Sequence, residues 1–311
     1  LPHSTTPPLP HTFPTMPKKL VTPLKPATQS GQNEPPPPVK AYKNEVFLNS
    51  DAARPVRVLA ELLEPKERLE KEGIENFLVF FGSARTLPTE DVNLAIAKIE
   101  KKTRKSKADR AELLRLQRLK RGARYYDDAV RLAEELTLWS KSLMDPEHRF
   151  YICSGGGPGM MEAANRGSSK AGGRSIGLGI SLPFEQHNNA YISHSLNFEF
   201  HYFFVRKYWF LYLAKALIVF PGGFGTMDEL FEILTLIQTQ KTNKQVPIVL
   251  YGTDFWKSII NWQVFIDWGV ISPEDMDLLH FSDDVEEARD FIIREVTRHY
   301  IETDDCGLRA P

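Results

Sequence analysis

"ALIVFPGGFGTMDELFE", residues 216 to 232, runs from an apolar strand pattern through a bare glycine loop into the first turns of a helix. Gly222, Gly223 and Gly225 give three glycines in four positions, which lets main chain approach another group closely. Thr226 adds a hydroxyl that can bind an anion or cap the helix, and Asp228, Glu229 and Glu232 follow on the helix. Thr226 and Glu229 also have the S/T-x-x-E spacing of a capping box, so ordinary helix capping competes with an anion cradle carrying an acid beside it.

The same strand, turn and helix alternation continues outward. "NFLVFFG" (76 to 82), "RFYICSGGG" (149 to 157), "SIGLGI" (175 to 180) and "VPIVLYG" (246 to 252) read as further strands. Helical patterns separate them, and a last helix is expected at "DDVEEARDFIIREVTRHY" (283 to 300). This order predicts an α/β fold, a doubly wound, mostly parallel sheet with helices on both faces. In such sheets ligands bind beyond the carboxyl ends of the strands. The glycine-bearing turns after 76–82, 149–157 and 216–221 should therefore share one crevice.

A dinucleotide fold is disfavoured. In "GGGPGMME", the third glycine of G-x-G-x-x-G falls on Met160, and "SIGLGISLP" does not end in the acid that would hold a ribose hydroxyl. No G-x-x-x-x-G-K-[ST] motif occurs. Gly155, Gly156, Gly157, Gly159 and Met160 still form a glycine turn at a helix N-terminus, which suits a phosphate. Gly82, Ser83 and Arg85, in "FGSAR" after the first strand, are expected to reach the same crevice.

Residues 198 to 216, "FEFHYFFVRKYWFLYLAKA", carry aromatics on every side, the pattern of a helix buried almost all round. Arg206 sits in its middle with Lys207 beside it. A buried guanidinium needs an anion, either a structural carboxylate or a bound phosphate.

"FVRK", the fourteen residues between Arg206 and Pro221, and "PGGFGTMDE" together resemble the LONELY GUY family, long labelled possible lysine decarboxylases. "SGGGPGMMEAANRG" and "GLGISLPFEQHNN" resemble its longer, bacterial-type branch, and the resemblance spans about residues 50 to 300. It implies nucleoside 5'-monophosphate phosphoribohydrolase activity, in which water releases a free base and ribose 5-phosphate from AMP or a cytokinin riboside monophosphate. It implies a Rossmann-like domain, Arg206 and Glu229 as the catalytic pair, phosphate held by Gly222, Gly223, Gly225 and Thr226, and assembly as a homodimer or larger homo-oligomer; from its chemistry, Lys207 beside Arg206 is expected to assist. Short plant-type members carry a second arginine six residues after the first; Tyr212 stands there. A carrier or sensor that binds the same ligand without turnover is the alternative.

The remaining expectations come from composition. At 42% hydrophobic and 25% charged, the chain reads as globular, and its net charge of −1 gives no overall attraction to nucleic acid or an anionic membrane. Cys153 and Cys306 make neither a disulfide framework nor a zinc pattern, and no cofactor or metal is expected. Without a membrane-length apolar run or a signal-peptide core, the expected location is cytoplasmic. Twelve of the 22 prolines lie before residue 45, so residues 1–45 are expected to be a disordered arm and 46–305 a single domain. Within it, 88–124 reads as a basic helical insertion, a solvated hairpin with twelve Lys or Arg against three acids between Lys98 and Arg124.

Overall fold

Strand β1 (Phe77–Phe81) is buried along its whole length, and its side chains alternate between two cores. Phe77, Val79 and Phe81 enter one, Leu78 and Phe80 the other. A strand covered on both faces has to be apolar throughout, which is why "FLVFF" shows no polar alternation. In the computed structural model, residues 38–182 and 187–302 are described. The chain divides between Glu45 and Val46. In the first unit the described residues contain one 3-10 turn, Ala41–Lys43, with Lys40 Nζ 5.9 Å from the Tyr42 ring centre. The proline-rich stretch up to residue 37 and Cys306 lie outside the described residues.

The second unit is built on seven parallel strands in the order β4-β3-β2-β1-β5-β6-β7. The others are β2 (Tyr151–Ser154), β3 (Ser175–Ile180), β4 (Asn197–Phe200), β5 (Ala214–Val219), β6 (Ile248–Tyr251) and β7 (Leu279–Ser282). The helices are α1 (Glu45–Leu48), α2 (Arg54–Lys71), α3 (Thr89–Glu100), α4 (Lys107–Ser142), α5 (Met160–Lys170), α6 (Phe203–Tyr212), α7 (Phe224–Gln238), α8 (Thr253–Ile259), α9 (Trp262–Asp267) and α10 (Val285–Val296). One core holds Leu69 of α2, Trp209 and Phe210 of α6, Leu230 and Ile233 of α7, and Trp256 of α8. The other holds residues of α4, α5 and α10. The fold is thus a doubly wound, Rossmann-like α/β sheet. Strand order reverses between β1 and β5, the place where such sheets open a crevice.

Two elements differ from expectation. The aromatic stretch is not one helix from 198 to 216: residues 197–200 add β4 to the sheet, α6 spans only 203–212, and 214–216 already belong to β5. Phe198 and Phe200 are buried from a strand, whose alternation a dense aromatic run conceals. Strand β7, "LHFS", is buried only at Ser282 and has no continuous apolar run to mark it. The basic stretch forms the hairpin of α3 and the first half of α4, around a small core of Val92, Ile96, Ile99, Leu116 and Ala123. Ser106 starts α4 through a capping box with Asp109. Among the described residues no helix is long and apolar enough to cross a membrane.

Candidate functional site

Helix α7 starts at Phe224, with Gly223 as its cap residue. Thr226 is therefore inside the first turn, and the capping box that its spacing with Glu229 suggested does not form. The first helical bond runs from the Met227 N–H to the Gly223 carbonyl. The N–H groups of Phe224, Gly225 and Thr226 precede it, and no acid lies in that first turn. Removing capping as its purpose leaves Glu229 buried, at 4% exposure, with nothing on its own helix that needs it.

What Glu229 faces is Arg206. Its Oε1 lies 3.9 Å from Arg206 Nη2, close enough to feel the charge and too far for a hydrogen bond. Among the described residues, Glu229 Oε2 and Arg206 Nε are buried and have no hydrogen-bond partner. Arg206 lies between the rings of Phe203 and Phe210, 5.2 and 5.5 Å from their centres. All three point the same way because they recur at i, i+3 and i+7 on α6. Burial holds the Arg206 pKa below its usual value, against the pull of Glu229 and Asp228. Burial also pushes Glu229 up to about 7, with Lys207 and Arg206 opposing and Glu232 and Asp228 adding to the rise.

Both groups line a cavity of about 280 Å³ at the carboxyl edge of the sheet. Gly82 and Ala84 reach it from the β1 end, Gly155 and Met161 from the β2 loop and α5, and Ile180 and Leu182 from β3 and the residues after it. Gly225, Thr226 and Glu229 come from α7, and Asn188, Phe203, Arg206 and Phe210 complete the wall. The three glycine turns meet, as their places on the sheet require.

Not every candidate reaches the cavity. Met160 is fully buried in the core behind Gly82, and its successor on the helix, Met161, is the residue at the wall. A helix places consecutive side chains about 100° apart, so a one-residue shift exchanges core for cavity. Gly156, Gly157 and Gly159 shape the β2 loop behind Gly155. Ser83 acts as a tie: its N–H donates to the Pro221 carbonyl (3.0 Å) and its carbonyl accepts from the Met160 N–H (3.0 Å). Arg85 is exposed. Gly222 abuts the Thr226 side chain, and Gly223 precedes the helix. Lys207 does not line the cavity; it pairs with Asp228 (2.8 Å) and Glu232 (2.7 Å) on α7. Burial works against its charge, but these two hydrogen bonds outweigh it and raise its pKa. Tyr212 stacks on Tyr208, away from the cavity wall.

Gly159 is the tightest point of this framework. It has a φ of +70°, and a Cβ there would stand 2.5 Å from the Ser83 carbonyl oxygen and the Ala84 carbonyl carbon. Gly159→Ala is expected to destabilise the fold by about 2–3 kcal/mol, combining left-handed strain with a backbone clash. A denaturant melt checks it; a midpoint within error of wild type would contradict that placement.

Among the described residues, no group of three or more His, Cys, Asp or Glu side chains could hold a metal ion. The fold and site define an α/β protein with a small, partly apolar pocket, one buried cation and one buried acid at the switch point of a parallel sheet. Residues 161–292 match the family model described as possible lysine decarboxylase, the label carried by the family that the motifs resemble. No match was found among curated proteins. The crystal structure of TM1055 is 22% identical, covering 70% of this chain and 99% of that one at a TM-score of 0.44. The molybdenum cofactor binding protein from Rippkaea orientalis is 16% identical, covering 72% and 98% at 0.42. The Moco carrier protein from Chlamydomonas reinhardtii is also 16% identical, covering 72% and 99% at 0.40.

Proposed function

We propose that the chain is a phosphoribohydrolase that cleaves the N-glycosidic bond of a nucleoside 5'-monophosphate, AMP or a cytokinin riboside monophosphate. The observation that carries this reading is the incompletely bonded pair of the largely covered Arg206 and the buried Glu229, which share a cavity with an anion-ready helix start. The phosphate would take the free N–H groups of Phe224, Gly225 and Thr226, together with the Thr226 hydroxyl. Bond breaking builds positive charge on the sugar, which a carboxylate beside it stabilises. With its pKa near 7, Glu229 can take the proton of the attacking water at neutral pH and return it to the leaving nitrogen of the base. The water oxygen ends on C1' and the base leaves protonated, so the reaction needs no other reactant. Arg206 orients ribose or phosphate and holds Glu229 ionisable.

The family description names a decarboxylation, whose usual cofactor, pyridoxal phosphate, needs a Schiff-base lysine. Among the described residues no lysine lines the cavity, and Lys207 is held by two acids, so these residues do not fit that cofactor.

A panel of nucleoside monophosphates, each paired with its unphosphorylated nucleoside and scored for free base, tests the reading. Release from monophosphates alone is expected. A ligand that binds and is recovered intact from every member would leave the carrier alternative standing. Self-association belongs to the same reading. Phe204 (57% exposed) on α6 and Phe224 (96%) on α7 present apolar surface that a second copy would cover. Light scattering should give a dimer or larger assembly, and a monomer at assay concentration would remove this element.

A further inference from the structure

The glycine loop after β2 does not hold its shape unaided. The Asn189 side-chain amide donates to the carbonyls of Gly156 (3.0 Å) and Gly157 (3.1 Å) and to Asn165 Oδ1 (2.9 Å). The Asn189 backbone N–H donates to the Gly156 carbonyl as well (2.8 Å), and Asn189 Oδ1 accepts from the Tyr191 N–H (3.1 Å). From below, the Ser154 hydroxyl donates to Asn165 Oδ1 (2.7 Å) and accepts from the Gly156 N–H (3.1 Å). The Gly156 carbonyl is thus gripped twice, at a residue whose φ of +73° only glycine adopts readily.

This loop is also the wall against which the site's cation rests. A Cβ on Gly155 would stand 3.7 Å from Arg206 Nη1, and Glu229 Oε1 lies 3.9 Å from Nη2, so the guanidinium is close to both the loop and the acid. We propose that Asn189 is a positioning residue of the site: by fixing the Gly156 and Gly157 carbonyls it sets the height of Gly155 and, through it, keeps the Arg206 guanidinium facing Glu229. Asn189 touches no reacting atom in this role. The inference rests on the hydrolase reading for its kinetic test, but the geometry behind it does not.

Glu229 is faced by Arg206 and Lys207 from α6 and by Asp228 and Glu232 from its own helix. If the loop relaxes and Arg206 drifts, one of the two cations that lower the Glu229 pKa is weakened. The carboxyl then ionises at higher pH.

Asn189→Ala and Asn189→Ser separate positioning from simple support. Serine keeps an acceptor for the Tyr191 N–H but loses the amide that grips the carbonyls. For both variants we expect kcat to fall about 10- to 100-fold, the acid limb of the kcat/KM profile to move to higher pH, and a cooperative thermal transition to persist above assay temperature. Serine restoring wild-type kcat and pH profile would overturn the proposal, as would a rate loss matching only the unfolded fraction. An inactive wild type would instead remove the hydrolase reading. The inference is then decided by calorimetric binding of ribose 5-phosphate, where weaker binding to both variants supports it, and equal affinities or no binding to the wild type overturn it.

Discussion

Glu229→Gln is expected to slow release of the free base by about 10²–10⁴-fold, the range spanned by loss of a positioned acid–base group, with little change in nucleotide affinity. The amide keeps the size and one acceptor of the carboxyl, but it can neither carry the charge that steadies a sugar cation nor exchange a proton with water. The substitution has a second, independent signature. Burial raises the folded-state pKa of Glu229 from 4.5 to about 7, so between these values the folded chain binds more protons than the unfolded one. The carboxyl therefore costs stability increasingly as pH rises through that window, by about 3 kcal/mol above it, and glutamine escapes this cost. The variant should match wild type near pH 4.5 and melt at higher temperature above pH 7. Parallel melts across this range, with turnover assays on the same samples, check both. Full activity, or a stability difference independent of pH, would contradict the role given to this acid.

Arg206→Ala should also slow turnover and, unlike the first variant, should weaken binding too. A loss of about 10²-fold in kcat is expected from misplacement of substrate and acid alone, with a rise in KM from the missing guanidinium. Glu229 would lose one of the two cations that oppose its burial, so its carboxyl would stay protonated to higher pH. Arg206→Lys should rescue poorly, because an ammonium lacks the planar fork and its stacking between Phe203 and Phe210. Initial rates at several pH values, analysed for kcat and KM separately, distinguish this from a folding defect. A lysine variant at wild-type efficiency would mean that only charge is required there.

Much of the architecture was legible because it is written locally. Strands β1, β2, β5 and β6 announce themselves as apolar runs ending in glycine or proline, β3 as an apolar run with glycines inside it, and a parallel sheet then dictates that their loops share an edge. Arg206 and Glu229 were also legible, as a cation among aromatics and an acid behind a glycine loop. What escaped depended on boundaries. Phe224, 96% exposed, gives no apolar sign of a helix start, so the spacing points to a cap three residues late, at Thr226 in place of Gly223. Met161 was missed in favour of Met160 because helix phase turns on one residue. Asn189 acts through carbonyls more than thirty residues earlier in the chain, a pairing that no single-sequence pattern encodes.

The most direct measurement is a time course of AMP with purified wild-type chain at neutral pH, following nucleotide, base and sugar phosphate together. Cavity, cation and acid as arranged here predict adenine and ribose 5-phosphate appearing in equal amounts as AMP disappears, over many turnovers per chain. AMP held at the site yet recovered whole after prolonged incubation would contradict hydrolysis and leave a binding protein.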